Sequence, residues 1–152
     1  MPAEIGKPAP DFKLRDTDNN EVTLDSFKGK KTVVVFLPFP WTGICDSEAC
    51  AIRDDNNFEG LDGQVVVITT YPRPALKHWK EENNFTFPVL SDFWPHGATA
   101  AAYGCLNEAL GVAMRASFVL DKDGIVREII QTDALPKQRD HADYGKALSG
   151  IS

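Results

Sequence analysis

The sequence predicts an α/β fold in which a mixed central β-sheet is flanked by helices and preceded by an N-terminal β-hairpin. Three observations predict it. Apolar, β-branched runs at 32–37 and 64–70 have the pattern of strands buried on both faces. Helical stretches lie between and after these runs. Two later strand patterns flank Asp121-Lys122-Asp123-Gly124, a strong hairpin signal.

Taken in order, Phe12-Lys13-Leu14-Arg15 and Glu21-Val22-Thr23-Leu24 alternate in polarity around the polar turn 16–20 and read as a hairpin. The strand at 32–37 leads through two prolines into a helix from Gly43 to about Asn57. After the strand at 64–70 comes a helix at 74–83, opened by Pro74, whose missing N–H costs little in a first helical turn. A short helix at 98–103 precedes the hairpin strands 116–120 and 125–130, and a last helix over about 138–148 follows. Strands alternating with helices and ending on a hairpin fit a thioredoxin-like fold. No repeat or composition break marks a linker, so one domain is expected over 1–152, long enough to bury a core without disulfide or metal support.

Composition excludes several function classes. Hydrophobic residues are 43% and charged residues 25%, the balance of a soluble globular protein. The net charge is −6 with no basic run, so nucleic acid is not an expected partner. The segment Met1–Lys7 has no apolar core of signal-peptide length. The longest apolar run, 33–40, is far short of the ~20 residues that span a bilayer. A cytoplasmic location without a membrane partner is therefore expected. There, three cysteines do not read as a structural disulfide framework. Asp16-Thr17-Asp18-Asn19-Asn20 opens like a calcium loop, but Glu21 stands at the glycine position and Phe27 at that of the bidentate carboxylate, so it reads as a solvated turn. None of the 11 glycines has phosphate-loop or dinucleotide spacing. No cofactor and no metal are implied.

The informative stretch is Phe36-Leu37-Pro38-Phe39-Pro40-Trp41-Thr42-Gly43-Ile44-Cys45, which leaves a buried strand and enters a helix. A lone cysteine reads equally as a small buried hydrophobe or as a nucleophile. Here Cys45 falls in or beside a first helical turn, where unpaired N–H groups stabilise an anion by up to about 2 kcal/mol. That favours the thiolate, the reactive form. Asp46 and Glu48 oppose it, because nearby carboxylates disfavour a second negative charge. A cation is therefore needed, and Arg115, at the mouth of a strand, is the candidate. Thr42 alone reads as an N-cap. A cysteine hydrolase would need a histidine beside the thiol, whereas His78, His96 and His141 are widely separated. Disulfide exchange of the thioredoxin kind prefers Cys-x-x-Cys, and position 48 is Glu. A zinc site lacks paired ligands.

Pro38-x-x-x-Thr42-x-x-Cys45 resembles the peroxiredoxin active-site signature. The resemblance covers most of the chain. Ala9-Pro10-Asp11-Phe12 is similar to that family's N-terminal segment, Phe87-Pro88-Val89-Leu90-Ser91-Asp92 to its middle, and Arg115-Ala116-Ser117-Phe118-Val119-Leu120-Asp121 to its late strand with the active-site arginine. Ser91–Gly97, with Phe93-Trp94-Pro95-His96, resembles the alkyl hydroperoxide reductase E branch.

The resemblance implies a thiol peroxidase. Cys45 would attack a hydroperoxide and become a sulfenic acid, releasing water or an alcohol. Thr42 would hydrogen-bond and orient the peroxide, and Pro38 would shield the sulfur from water. Arg115 would favour the thiolate and stabilise charge on the breaking O–O bond. Glu48, one helical turn after Cys45, reads either as the carboxylate that holds a guanidinium or as a solvated helix position.

Cys45-Asp46-Ser47-Glu48-Ala49-Cys50, followed by Arg53-Asp54, resembles the peroxiredoxin Q branch (bacterioferritin comigratory proteins), where the second cysteine resolves the sulfenic acid. Five residues along a helix advance it ~7.5 Å and turn it ~140°, whereas bridgeable Cα pairs are usually below about 7 Å apart. A Cys45–Cys50 disulfide therefore requires the first turns to unwind. Otherwise Cys50 packs beside Ala49 and Ile52 and an external thiol attacks Cys45 directly. Cys105 is a weaker candidate, expected to be packed. Expected partners are a hydroperoxide, a thiol reductant (thioredoxin, a glutaredoxin-like protein or a low-molecular-weight thiol) and a second copy in a homodimer. Phe39, Pro40, Trp41 and Phe93-Trp94-Pro95 read as an apolar rim around the sulfur or as dimer contacts. The alternative function is a stoichiometric peroxide-sensing switch.

Overall fold

The computed structural model describes residues 2–55, 63–132 and 138–151. In chain order its elements are β1 (Lys13–Asp16), β2 (Glu21–Thr23), β3 (Lys31–Phe36), α1 (Gly43–Asp54), β4 (Gly63–Thr69), α2 (Arg73–Asn83), β5 (Val89–Ser91), α3 (Ala98–Tyr103), β6 (Leu106–Asn107), β7 (Val112–Ala113), β8 (Ala116–Leu120), β9 (Val126–Gln131) and α4 (Ala142–Ser149). Seven strands make one mixed sheet in the order β2-β1-β5-β4-β3-β8-β9, and β6 pairs with β7 apart from it.

The hairpins form where turn chemistry asks for them. The Asp16 carboxylate accepts the N–H groups of Asp18 and Asn20 and closes the β1–β2 turn. Asp121 does the same for Asp123 and Ile125 between β8 and β9, where Gly124 takes φ +81°.

β3 lies at the centre, parallel to β4 and antiparallel to β8. Strand side chains alternate between faces, so β3 feeds two cores. Val33 and Val35 share one cluster with Ala49 and Ile52 of α1, Leu76 and Trp79 of α2 and Leu148 of α4. Val34 and Phe36 share the other with Tyr103, Phe118 and Leu120. Each such side chain, once fully buried, stabilises the fold by about 1.5–3 kcal/mol.

Three features depart from the sequence-based expectation. α1 ends at Asp54, because Asp55 turns extended at φ −90° and ψ 110°; positions 56 and 57 lie outside the described residues. α4 begins at Ala142 rather than 138, because the Arg139 backbone N–H donates to the side chain of Glu48 at 3.1 Å instead of entering a helix. β5, unforeseen as a strand, is too short to show a period, yet it pairs with both β4 and β1 and so ties the N-terminal hairpin to the sheet. The two-residue β6 and β7 carried no readable pattern either.

Candidate active site

Cys45 is the third residue of α1 and wholly buried. It sits where helical N–H groups have no intrahelical acceptor. Its Sγ accepts the Phe39 N–H at 3.3 Å. Thr42 precedes the first helical residue, but its hydroxyl does not cap α1. It donates instead to the Phe39 carbonyl at 2.6 Å, so Thr42 holds the expected N-cap position without a side-chain capping bond. Thr42 and Cys45 therefore grip the two polar ends of one residue, Phe39, and fix the loop between β3 and α1. Pro38 is buried directly before it.

Behind the sulfur lies a buried charge cluster. Glu48 is one helical turn after Cys45, on the same face of α1, and only 5% exposed, so it is not a solvated position. It accepts Arg115 Nη1 at 2.6 Å, and Arg139 through Nε at 2.7 Å, Nη2 at 3.1 Å and the backbone N–H. Arg139 also donates to Ser117 Oγ at 2.9 Å, and Ser117 meets the Tyr144 hydroxyl at 2.8 Å. Strand alternation places Ser117 and Val119 of β8 on the face covered by α1, and Arg115 precedes them with the same period.

Burial works to raise the Glu48 carboxyl, but the hydrogen bonds and charge of Arg139, joined by Arg115, outweigh it and hold the group below its ordinary value. For Arg139, burial opposes the charge, while Tyr144, Glu48 and Cys45 favour it, and the balance is upward. Two guanidinium groups share one carboxylate beside the sulfur's helix.

A family model described as the AhpC/TSA family matches residues 5–129. The chain belongs to the AhpC/TSA family. It is 44% identical over 149 residues to alkyl hydroperoxide reductase E of Mycobacterium tuberculosis and of Mycobacterium bovis, covering 95% of this chain and 97% of theirs. It is 33% identical over 141 residues to a chloroplastic peroxiredoxin Q of Oryza sativa, covering 88% of this chain and 61% of that one. The crystal structure of peroxidoxin BcpB from Mycobacterium tuberculosis superposes with a TM-score of 0.85 at 28% identity, over 99% of each chain. The reduced 2-Cys peroxiredoxin of Plasmodium vivax gives 0.86 at 25% identity, over 97% of this chain and 81% of that one. The thioredoxin-like fold and the peroxiredoxin resemblance both hold, and this AhpC/TSA-family protein is a thiol-dependent peroxidase.

All three thiols of the AhpC/TSA-family chain are free. Cys50 is half-buried on the unbroken α1 and packs against the cluster that holds Cys45, Ala49 and Ile52. Cys105 is buried in the cluster on the opposite side of the sheet. Burial, with Asp92 adding to it, pushes its thiol up to about 12.

The sequence singled out Cys45, Thr42, Pro38, Arg115, Glu48 and Cys50, and the fold gathers all of them around the first turns of α1 and the mouth of β8. It missed Arg139, which stood at the start of the stretch assigned to the last helix. The one available signal was the capacity of a buried carboxylate to accept more than one guanidinium.

Proposed function

We propose that Cys45 is the peroxide-reactive cysteine and reduces hydrogen peroxide and organic hydroperoxides. Its thiolate attacks the terminal peroxide oxygen, the O–O bond breaks, and the leaving oxygen takes a proton to depart as water or an alcohol. The sulfur keeps one oxygen as a sulfenic acid. Thr42 orients the peroxide, Pro38 keeps water from the sulfur, and Arg115, held by Glu48, stabilises charge on the breaking bond. Arg139 supports that carboxylate. The observation that carries this reading is a buried sulfur at a helix N-terminus that accepts the Phe39 N–H at 3.3 Å.

Cys50 then attacks the sulfenic sulfur to form a disulfide with loss of water, and an external thiol reduces the disulfide to restore both cysteines. Thioredoxin, a glutaredoxin-like protein or a low-molecular-weight thiol has the required chemistry. The working form is a homodimer in the cytoplasm, with exposed Phe93 and Trp94 supplying aromatic surface of the kind enriched in interface cores. The related reductases are named as enzymes, which favours turnover over a stoichiometric sensor.

Peroxide consumption by Cys45→Ser in the presence of each reductant class tests the central claim. Complete loss is expected, and retained turnover overturns it. Disulfide mapping of the peroxide-treated protein tests the part of Cys50: a Cys45–Cys50 bridge is expected, and a sulfenic acid that only external thiol removes contradicts it.

A further inference from the structure

We propose that Asp46 is a positioning residue that latches the Cys45 turn to α2 and thereby sets how fast Cys50 resolves Cys45. A carboxylate next to a nucleophilic sulfur opposes formation of the thiolate, so its place there calls for another reason. Its contacts supply one. Asp46 Oδ1 accepts two N–H groups at 2.9 Å each, from the Trp41 backbone and from the Trp79 indole. Trp79 belongs to α2 and is fully buried. Trp41 sits in the loop ahead of Cys45 at φ +68°, a left-handed conformation that a bulky side chain rarely adopts. Its own indole donates to Glu82 Oε2 of α2 at 2.9 Å, and its ring lies beside Tyr71 and His78. The strained loop and the first turn of α1 are thus fastened together to one neighbouring helix.

The consequence rests on the reading that Cys50 resolves Cys45. Resolution joins the two sulfurs, releases the sulfenic oxygen as water with the Cys50 proton, and cannot occur across five residues of intact helix. The first turn of α1 must unwind, and unwinding carries Asp46 away from both donors. One of them, the Trp79 indole, is then left buried without an acceptor, which is costly. The latch therefore slows opening. While the turn stays closed, a second peroxide can oxidise the sulfenic acid to sulfinic acid, consuming one peroxide and releasing water. Asp46 sets the partition between these two fates.

Asp46→Ala and Asp46→Asn, made in the full chain, separate latch from charge. Both remove the negative charge, but the asparagine oxygen can still accept both N–H groups. After reaction with one equivalent of hydrogen peroxide, tryptophan fluorescence follows the opening and mass spectrometry counts disulfide against sulfinate. D46A is expected to form the Cys45–Cys50 disulfide roughly tenfold faster than the parent protein, the scale set by lost hydrogen bonds to a charged acceptor. It is also expected to accumulate less sulfinate at excess peroxide. D46N is expected to resolve at close to the parent rate, while the first, peroxide-dependent phase changes alike in both variants. The proposal is overturned if D46A resolves no faster than the parent, or if D46N matches D46A. A parent protein that forms no Cys45–Cys50 disulfide defeats the resolving reading and the latch together; a parent that forms it, with D46A unchanged, defeats the latch alone. Should D46A not fold, Trp79→Phe removes one of the two donors and keeps a ring in the core. A smaller acceleration is then expected, and none overturns the proposal.

Discussion

Arg139 holds Glu48 at three points, through its backbone N–H, Nε and Nη2, across 91 residues of chain. Arg115 completes the grip from the mouth of β8 at 2.6 Å. Two distant segments thus meet on the helix that carries Cys45, and a buried charge cluster is tolerable because each of its members is paired. The fold's contribution to the site is this convergence, which gathers two guanidinium groups on the carboxylate one helical turn after the sulfur.

Removing the carboxylate should therefore cost both stability and rate. Glu48→Ala leaves two buried guanidinium groups without their shared partner, and the loss of folding stability is expected to be about 3–5 kcal/mol. Urea unfolding measures it. Glu48→Gln keeps the volume and one acceptor oxygen, so it should unfold less readily than Glu48→Ala yet still react more slowly with peroxide in stopped-flow assays. Parent-like stability in both variants would show that the cluster does not hold this part of the fold together.

The same cluster sets a pH dependence. Burial raises the Glu48 carboxyl, but Arg139 and Arg115 more than reverse this and place it below its ordinary 4.5. Between the two values the unfolded chain binds more protons than the folded one, so stability rises with pH there. The contribution is present above about 4.5 and is lost as pH falls through the folded value. Asp121, also lowered against the effect of burial by its turn N–H groups and Arg127, adds the same sign. Asp92, raised by burial, has the opposite sign, and its share is lost as pH rises. The difference between the parent and Glu48→Gln isolates Glu48. Urea midpoints measured across this acid range should fall more steeply in the parent, and parallel curves would contradict the assignment.

Cys105 should take no part in the redox cycle. It lies across the sheet from Cys45, and its thiol, pushed up to about 12, stays protonated near neutral pH. Iodoacetamide at pH 8, followed by peptide mapping, is expected to modify Cys50 well before Cys105. Cys105→Ala should keep peroxide turnover with whichever reductant serves the parent. A disulfide that includes Cys105 in the folded protein would contradict both expectations.

Much of this was legible in the sequence because local patterns and the final structure agree. The β-branched runs that became β3 and β4, and the Asp121–Gly124 turn, state their conformation within a few residues. Pro38, Thr42 and Cys45 are neighbours in the chain, so one short stretch displays most of the sulfur's surroundings. Arg139 was illegible for the opposite reason. Its role depends on Glu48, 91 residues away, and on a backbone N–H that leaves helix geometry to reach it. Thr42 takes the N-cap position that a threonine before a helix suggests, but its side chain serves the Phe39 carbonyl rather than a helical N–H, a partner that the local rule does not show. β5 owes its existence to strands on both sides rather than to its own three residues.

Thr42 offers the sharpest test of the peroxide-binding geometry. Its hydroxyl proton is committed to the Phe39 carbonyl at 2.6 Å, so its oxygen presents lone pairs that can accept a hydrogen bond from a hydroperoxide O–H. The same bond steadies Phe39, whose N–H reaches Cys45 Sγ. Thr42→Val keeps the shape and loses both functions; Thr42→Ser keeps the hydroxyl and loses only a methyl group. The valine variant is expected to lower kcat/KM for hydrogen peroxide by about 10²–10³, the scale of one lost hydrogen bond at a reacting centre. The serine variant should stay close to the parent. Equal losses in the two variants would mean that the hydroxyl alone does not account for the effect. A valine variant at full rate would remove Thr42 from the reaction altogether.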